Sequence, residues 1–294
     1  MKKYYRIQPI YHGWGYGYGF FSNYRICLEH LIHHHETKGE GIPYIDWGRT
    51  TWVEGFTPNM SDISGQTRQT SILVPNGNPF DYWFDQDIPQ PDDIIIDCTV
   101  PRRSEIIDHS KHYFDQPDQL IRQQTVDKLY IKPKQFILDK VNEIYEKELK
   151  GYTTLGMMIR GTEFDAIHPE YGIFTIQDYV KKIQTILDEN PQINKLFFVS
   201  EDSDYIETLS KTFPNSYYIP DVFRKTDETP EYYNKVHCWI EISTKRENHR
   251  RLLGEEAIIQ TKLLGKCDYL FGKISGLFCG GILWNENIKK VFKA

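Results

Sequence analysis

Residues 151–163 read Gly151-Tyr152-Thr153-Thr154-Leu155-Gly156-Met157-Met158-Ile159-Arg160-Gly161-Thr162-Glu163. A short apolar run bounded by turn residues and ending in an arginine predicts a buried strand over 155–160. The pattern downstream is regular: a helix over 175–189, a strand over Lys195–Ser200, a helix over 203–213 and a strand over 217–219. Strands separated by helices of about ten or more residues imply right-handed crossovers and a parallel sheet. A charged loop over 220–251 follows, then an amphipathic helix over 254–266, a short strand over 268–272, a helical turn from Ser275 and an edge element over 288–292.

Upstream, residues 4–10 alternate as a strand does. They lead through Gly13-Trp14-Gly15-Tyr16-Gly17-Tyr18-Gly19 into a helix from Phe20 to His35. Ile42-Pro43-Tyr44-Ile45-Asp46 reads as a second strand, and 47–91 as an irregular aromatic-rich insert. Ile94-Ile95-Ile96 reads as a further buried strand, and 117–150 as two helices, the second starting at Pro133. The change of pattern near Gly151 divides the chain into an N-terminal α/β domain, 1–150, and a C-terminal α/β domain, 151–294. Two such halves facing each other, with ligand sites at the carboxyl ends of their strands, are the expected architecture.

The 294 residues are 39% hydrophobic and 26% charged, a composition that excludes disorder as the main state. Lys+Arg 35 against Asp+Glu 41 gives a net charge of −6, so neither nucleic acid nor an anionic membrane suits the surface as a whole. Any anion must be met by a local site. No apolar run approaches the roughly 20 residues of a membrane span, and no secretory leader opens the chain. The five cysteines are scattered without a C-x-x-C pair and read as reduced thiols of a cytoplasmic protein. His33-His34-His35 cannot hold one metal from a helix, because neighbouring positions point to different faces, and the triplet reads as a polar surface.

Three places carry candidate chemistry. Arg160, at the end of a buried strand, projects at the carboxyl edge of the sheet; its fork of donors suits a phosphate, or else a carboxylate such as Glu163 or Asp202. Glu201-Asp202-Ser203-Asp204 follows the strand over Lys195–Ser200. It reads either as a helix cap or as an Asp-x-Asp site for a divalent ion. Ser275-Gly276, before Leu277, opens a helix whose free N–H groups would suit an anion, or forms an ordinary capped turn. The loop around Gly15 and Gly17 lets backbone approach a ligand, but completes neither a P-loop nor a dinucleotide fingerprint.

Taken together, these stretches resemble the α1,6-fucosyltransferase and nodulation fucosyltransferase group, within the superfamily that includes the protein O-fucosyltransferases. The resemblance rests on Gly15-Tyr16-Gly17-Tyr18-Gly19, Ile159-Arg160-Gly161-Thr162-Glu163 and Phe198-Val199-Ser200-Glu201-Asp202. It continues in the run from Gly254-Glu255-Glu256-Ala257 through Asp268-Tyr269-Leu270 to Ser275. It covers most of 151–284 well and the first half loosely. It implies a GT-B-like α/β fold of two facing Rossmann-type domains with parallel sheets. The N-terminal half would serve the acceptor and the C-terminal half would bind a nucleotide-sugar, with inverting transfer that needs no metal or other cofactor.

The family's diphosphate-gripping arginine falls on Arg160, its acidic pair on Glu201-Asp202 and its small-residue loop on Ser275-Gly276; on this reading the acidic pair holds no metal. Three positions depart. Met158 stands where the family usually has His, Gln260 where it usually has Asp, and Gly161 where the α1,6 group has a second arginine. The first two are the positions expected to read guanine, and Gln260 cannot offer a carboxylate to both guanine N–H donors.

The expected activity is transfer of a fucose-like sugar from a nucleoside-diphosphate donor, GDP-fucose favoured, to a glycan hydroxyl. Arg160, Gly161, Thr162, Glu201, Asp202, Gln260, Ser275, Gly276, Leu277, Gly15 and Gly17 are the candidate donor contacts. Arg160, Glu163 and His168 are the candidate catalytic groups, His168 because its ordinary pKa suits a base. The partners implied are the nucleotide-sugar and a glycan acceptor, with no nucleic acid and no membrane span. Peripheral attachment and the oligomeric state are left open. Two alternatives stand beside this: the same fold with a UDP-, CDP- or dTDP-sugar, and a non-catalytic carbohydrate-binding protein whose aromatics stack on sugar rings.

Overall fold

The structure, a computed structural model, describes residues 1–9, 19–48, 50, 52, 77–98, 116–160, 174–224 and 246–293. The chain forms two compact units, Met1–Gln135 with Cys238–Glu255, and Phe136–His237 with Glu256–Ala294. It thus passes between units at Gln135, ahead of the Gly151 expected from sequence, and twice more further on.

The first unit contains β1 (Lys3–Ile7), α1 (Phe20–Glu36), β2 (Ile42–Ile45), α2 (Phe80–Trp83), β3 (Phe84–Asp85), β4 (Ile94–Asp97), α3 (Pro117–Tyr130) and β5 (Lys132–Pro133). β1 lies between β2 and β4, parallel to both, with Tyr4 opposite Ile42 on one side and Ile95 on the other. α1 buries Tyr24, Cys27, Leu28 and Leu31. The aromatic stretch folds inward around Phe20, whose ring meets those of Trp47, Trp52 and Trp83 edge-on at 5.0, 5.2 and 5.1 Å.

Three expectations are corrected in this unit. Ile94 and Ile95 are 38% and 43% exposed, because β4 is the terminal strand of this sheet among the described residues. Pro133 does not open a helix: it sits in β5, which pairs antiparallel with β3, where its missing N–H is tolerated, and the following helix starts at Gln135. His34 is buried, its ring 4.7 Å from that of Tyr5, whereas its neighbour His35 is exposed. The four described cysteines are free thiols.

The second unit follows α4 (Gln135–Ile144) and a π-helical turn (Tyr145–Leu149) with β6 (Thr154–Ile159), α5 (Ile176–Glu189), β7 (Lys195–Ser200), α6 (Ser203–Thr212) and β8 (Ser216–Tyr217). The part of α7 (His249–Leu264) from Glu256 onward, β9 (Tyr269–Gly272), α8 (Gly276–Leu283) and β10 (Lys290–Lys293) complete it, the start of α7 up to Glu255 belonging to the first unit. The five strands run parallel in the order β10-β9-β6-β7-β8. β6 is buried along its whole length, which is why its sequence is apolar without alternation. Leu155, Met157 and Ile159 join a core with Tyr179 and Ile183 of α5 and Ile206 and Leu209 of α6. A Cβ on Gly156 would meet Leu264 and Cys267 at the end of α7, so the alternate residues of β6 face the helices that follow β8.

The register of β6 on β9 is pinned at the amino end. The Thr154 hydroxyl donates to the Asp268 carboxylate (3.1 Å) and accepts from the Asp268 N–H (3.0 Å), while the Thr154 N–H donates to the same carboxylate (2.9 Å). At the other end Met158 lies opposite Gly272. A Cβ on Gly272 would come within 2.7 Å of the Met158 carbonyl oxygen, so a glycine is required for these two strand ends to lie this close.

One buried group makes the fold acid-sensitive. His30 of α1 is 3% exposed, and desolvation, helped by the nearby charge of His33, lowers its pKa from 6.5 to about 4. The unfolded chain therefore takes up this proton first as pH falls. The stability this group contributes is complete above about pH 6.5 and is lost between there and about pH 4, on the order of 3 kcal/mol. Urea unfolding of wild type and His30→Gln at pH 7 and 4.5 should show a smaller loss of stability in the variant; equal losses would contradict this assignment.

Candidate functional site

The strand order places one feature of the second unit above the rest. From β6 the chain proceeds outward to β7 and β8, then returns to β9 on the other side of β6 and proceeds outward to β10. Connections leaving β6 and β9 therefore run in opposite directions, and right-handed crossovers place α5 and α8 on opposite faces of the sheet. The carboxyl ends of β6 and β9 border the crevice that such a reversal opens, the position at which ligands bind in open α/β sheets.

Arg160 stands at that point, immediately after β6. Its backbone is fixed by Tyr179 of α5: the Arg160 N–H donates to the Tyr179 hydroxyl (3.2 Å), which donates in turn to the Arg160 carbonyl (3.3 Å). Its guanidinium Nη1 lies 3.4 Å from the Glu201 carboxylate at the end of β7, with side-chain exposures of 27% and 17%. The guanidinium is thus held beside a carboxylate yet reachable from solvent. Charge-assisted contacts of this kind are strengthened by partial burial and orient the planar fork.

Asp202 is the N-cap of α6, its Oδ1 accepting from the N–H groups of Asp204 (3.0 Å) and Tyr205 (3.4 Å). This is the capping arrangement weighed from sequence. Across β6, on the β9 side, Ser275 is the N-cap of α8 and its hydroxyl accepts from Phe278 N–H (3.3 Å). Ser275, Gly276 and Leu277 are part-exposed, and the first-turn N–H groups of a helix lack intrahelical partners. Arg160, Glu201, Asp202, Ser275, Gly276 and Leu277 therefore share the carboxyl edge of three adjacent strands.

Gln260 is buried on α7, its amide donating to the Glu256 carbonyl one turn earlier (3.2 Å); the described contacts do not join it to Arg160 or Ser275. Gly15, Gly17, Gly161, Thr162, Glu163 and His168 lie outside the described residues.

Two residues at this edge escaped the sequence reading. Tyr179 looks like an ordinary apolar contact of an amphipathic helix, and only the fold shows its hydroxyl meeting the Arg160 backbone. Lys273, directly after Gly272 of β9, is 2% exposed, with its ammonium 5.4 Å from the centre of the Phe174 ring. The available signal was its position, since a lysine directly after a four-residue strand that is buried throughout is not a typical solvated one.

No protein-family model matches the chain, and no curated protein matches it in sequence. Solved structures do resemble it. NodZ alpha-1,6-fucosyltransferase soaked with GDP-fucose aligns with a TM-score of 0.54 at 13% identity, covering 97% of this chain and 92% of that one. Fucosyltransferase NodZ from Bradyrhizobium aligns at 0.53 and 12%, covering 97% and 93%. POFUT1 in complex with GDP-fucose aligns at 0.50 and 9%, covering 99% and 97%. At these identities the likeness is one of fold: the chain has the α/β, parallel-sheet fold of GT-B fucosyltransferases.

Proposed function

We propose that the protein is a fucosyltransferase-like glycosyltransferase, which moves a fucose-like sugar from a nucleoside-diphosphate donor to a glycan hydroxyl. The observation that carries this reading is Arg160, half-buried and oriented at the strand-order reversal of a fold shared with proteins crystallised with GDP-fucose and GDP. GDP-fucose is the favoured donor.

In this reading the bond between the sugar's anomeric carbon and the diphosphate breaks with its electron pair going to the diphosphate. The acceptor oxygen forms the new bond from the opposite face, with inversion, and its proton passes to a base. Arg160 and the N–H groups at the start of α8 stabilise the charge that builds on the leaving diphosphate. Glu201 holds the guanidinium in place, and Asp202 supports the helix beside it. Glu163 and His168, in the segment after Arg160, are our candidates for the base. With Arg160 and the α8 terminus to neutralise the leaving group, the proposal requires neither a metal nor another cofactor. On this reading the donor is bound by the part of 151–294 that lies in the second unit, and the acceptor by the part of 1–150 that lies in the first. Free cysteines suit a reducing cytoplasm, and no helix among the described residues is long and apolar enough to cross a membrane.

A different donor base is the second reading, favoured by Gln260. Its amide nitrogen is turned back onto its own helix, and the side chain lacks the charge that would meet two guanine N–H donors. A non-catalytic sugar-binding role loses its main support, because Trp47, Trp52 and Trp83 are buried in the core of the first unit, where no sugar ring can stack.

Thermal-shift titration with GDP, UDP, CDP and dTDP should give the largest rise in midpoint with GDP. A clear shift with another nucleotide and none with GDP would select the second reading. Arg160→Ala should keep the far-ultraviolet circular dichroism of wild type while lowering turnover with the matching nucleotide-sugar by about 10²- to 10³-fold. Near-normal turnover would remove Arg160 from the reaction.

A further inference from the structure

Arg160 leaves the sheet at a definite point. The last residue of β6 paired with β7 is Ile159, opposite Ser200, and the last paired with β9 is Met158, opposite Gly272. The Arg160 N–H and carbonyl lie just beyond this pairing, at a half-buried position where backbone polar groups need partners. Tyr179 meets both with one atom: its hydroxyl accepts from the Arg160 N–H (3.2 Å) and donates to the Arg160 carbonyl (3.3 Å). Within a sheet, a neighbouring strand engages the N–H and C=O of a residue in the same way. The hydroxyl thus carries the constraint on β6 one residue further, to the residue that bears the guanidinium.

The hydroxyl can do this because its ring is walled in. Tyr179 is fully buried on α5 and packs edge-on against Phe174 at 5.2 Å, Tyr205 of α6 at 6.1 Å and Phe271 of β9 at 6.1 Å. Tyr205 belongs to the turn capped by Asp202, and Phe271 to the strand that leads towards Ser275. Packing by three elements fixes the ring, the hydroxyl fixes the Arg160 backbone, and the backbone aims the guanidinium, which Glu201 steadies at 3.4 Å. A phenylalanine would fill the same place and keep all three ring contacts, so the core accounts for the ring but not for the hydroxyl.

We infer that Tyr179 is a positioning residue for the diphosphate site, acting through the Arg160 backbone and touching no ligand atom itself. This inference rests on the nucleotide-sugar reading above. It divides the side chain between two tasks: the ring belongs to the hydrophobic core and the hydroxyl to the site. The hydroxyl therefore contributes to ligand affinity only while the Arg160 guanidinium is there to be aimed.

The test is a double-mutant cycle. Wild type, Tyr179→Phe, Arg160→Ala and the double variant are titrated calorimetrically with whichever of GDP, UDP, CDP and dTDP raises the melting midpoint most. Tyr179→Phe should weaken binding about 10-fold when Arg160 is present and less than about 2-fold in the Arg160→Ala background. A hydroxyl with a merely structural role would cost the same in both backgrounds. That result, or wild-type affinity in a folded Tyr179→Phe, would overturn the inference and, with Arg160→Ala still weakening binding, leave the nucleotide-sugar reading intact. Wild type that binds none of the four nucleotides, or Arg160→Ala that binds as wild type does, would overturn both. Should Tyr179→Phe fail to fold, or Arg160→Ala bind too weakly to titrate, a crystal structure of wild type with the same nucleotide decides. The guanidinium within about 3.2 Å of a diphosphate oxygen, with both Tyr179 hydrogen bonds kept, supports the assignment; a diphosphate held away from Arg160, or either bond to Tyr179 lost, overturns it.

Discussion

The close parallel pairing of β6 with β9 is the constraint on which the rest of the second unit depends. These strands are distant in sequence, and no local preference holds them together. Their register is set instead by the Thr154–Asp268 hydrogen bonds at one end and by a glycine at the other, where any side chain on Gly272 would strike the Met158 carbonyl. Burial of both faces, by α5 and α6 on one side and by the ends of α7 and α8 on the other, supplies the hydrophobic stabilisation. Once the pair is fixed, the outward progress of the chain in both directions leaves a crevice at its carboxyl end.

Electrostatics then give that crevice its character. A chain with a net charge of −6 repels anions at long range, so affinity for a diphosphate has to be concentrated in a few oriented groups. Arg160 is oriented twice, through its backbone by Tyr179 and through its guanidinium by Glu201. Glu201 lowers the net charge seen by a ligand while holding the guanidinium in place. Asp202 does different work: its carboxylate is engaged with the first turn of α6, where negative charge also complements the helix dipole.

Much of the second unit was legible because its strands are buried on both faces. Leu155 to Ile159 and Leu196 to Val199 are continuous apolar runs, and Thr175 with Asp178 forms the capping box at the head of α5, so the strand–helix alternation stands out. The first unit was less readable. Ile94-Ile95-Ile96 has the same β-branched signature whether a strand is covered or lies at the end of a sheet, and Pro133 suits either a helix start or a short strand. At the site, Arg160 and Ser275 were found because each closes an evident strand. Lys273 and Tyr179 were not, because what defines them is pairing across the sheet and a hydroxyl aimed at a neighbouring backbone, neither of which leaves a local pattern.

Hydrogen exchange of the wild-type chain, with and without the nucleoside diphosphate that raises its melting midpoint most, tests the central claim most directly. The account predicts that the ligand slows exchange of the Arg160 amide and of the amides at the start of α8, Gly276 and Leu277, with no comparable change at the carboxyl end of β4 in the first unit. Nucleotide binding that leaves Arg160, Gly276 and Leu277 exchanging at their free rates, and protects another part of the chain, would contradict it.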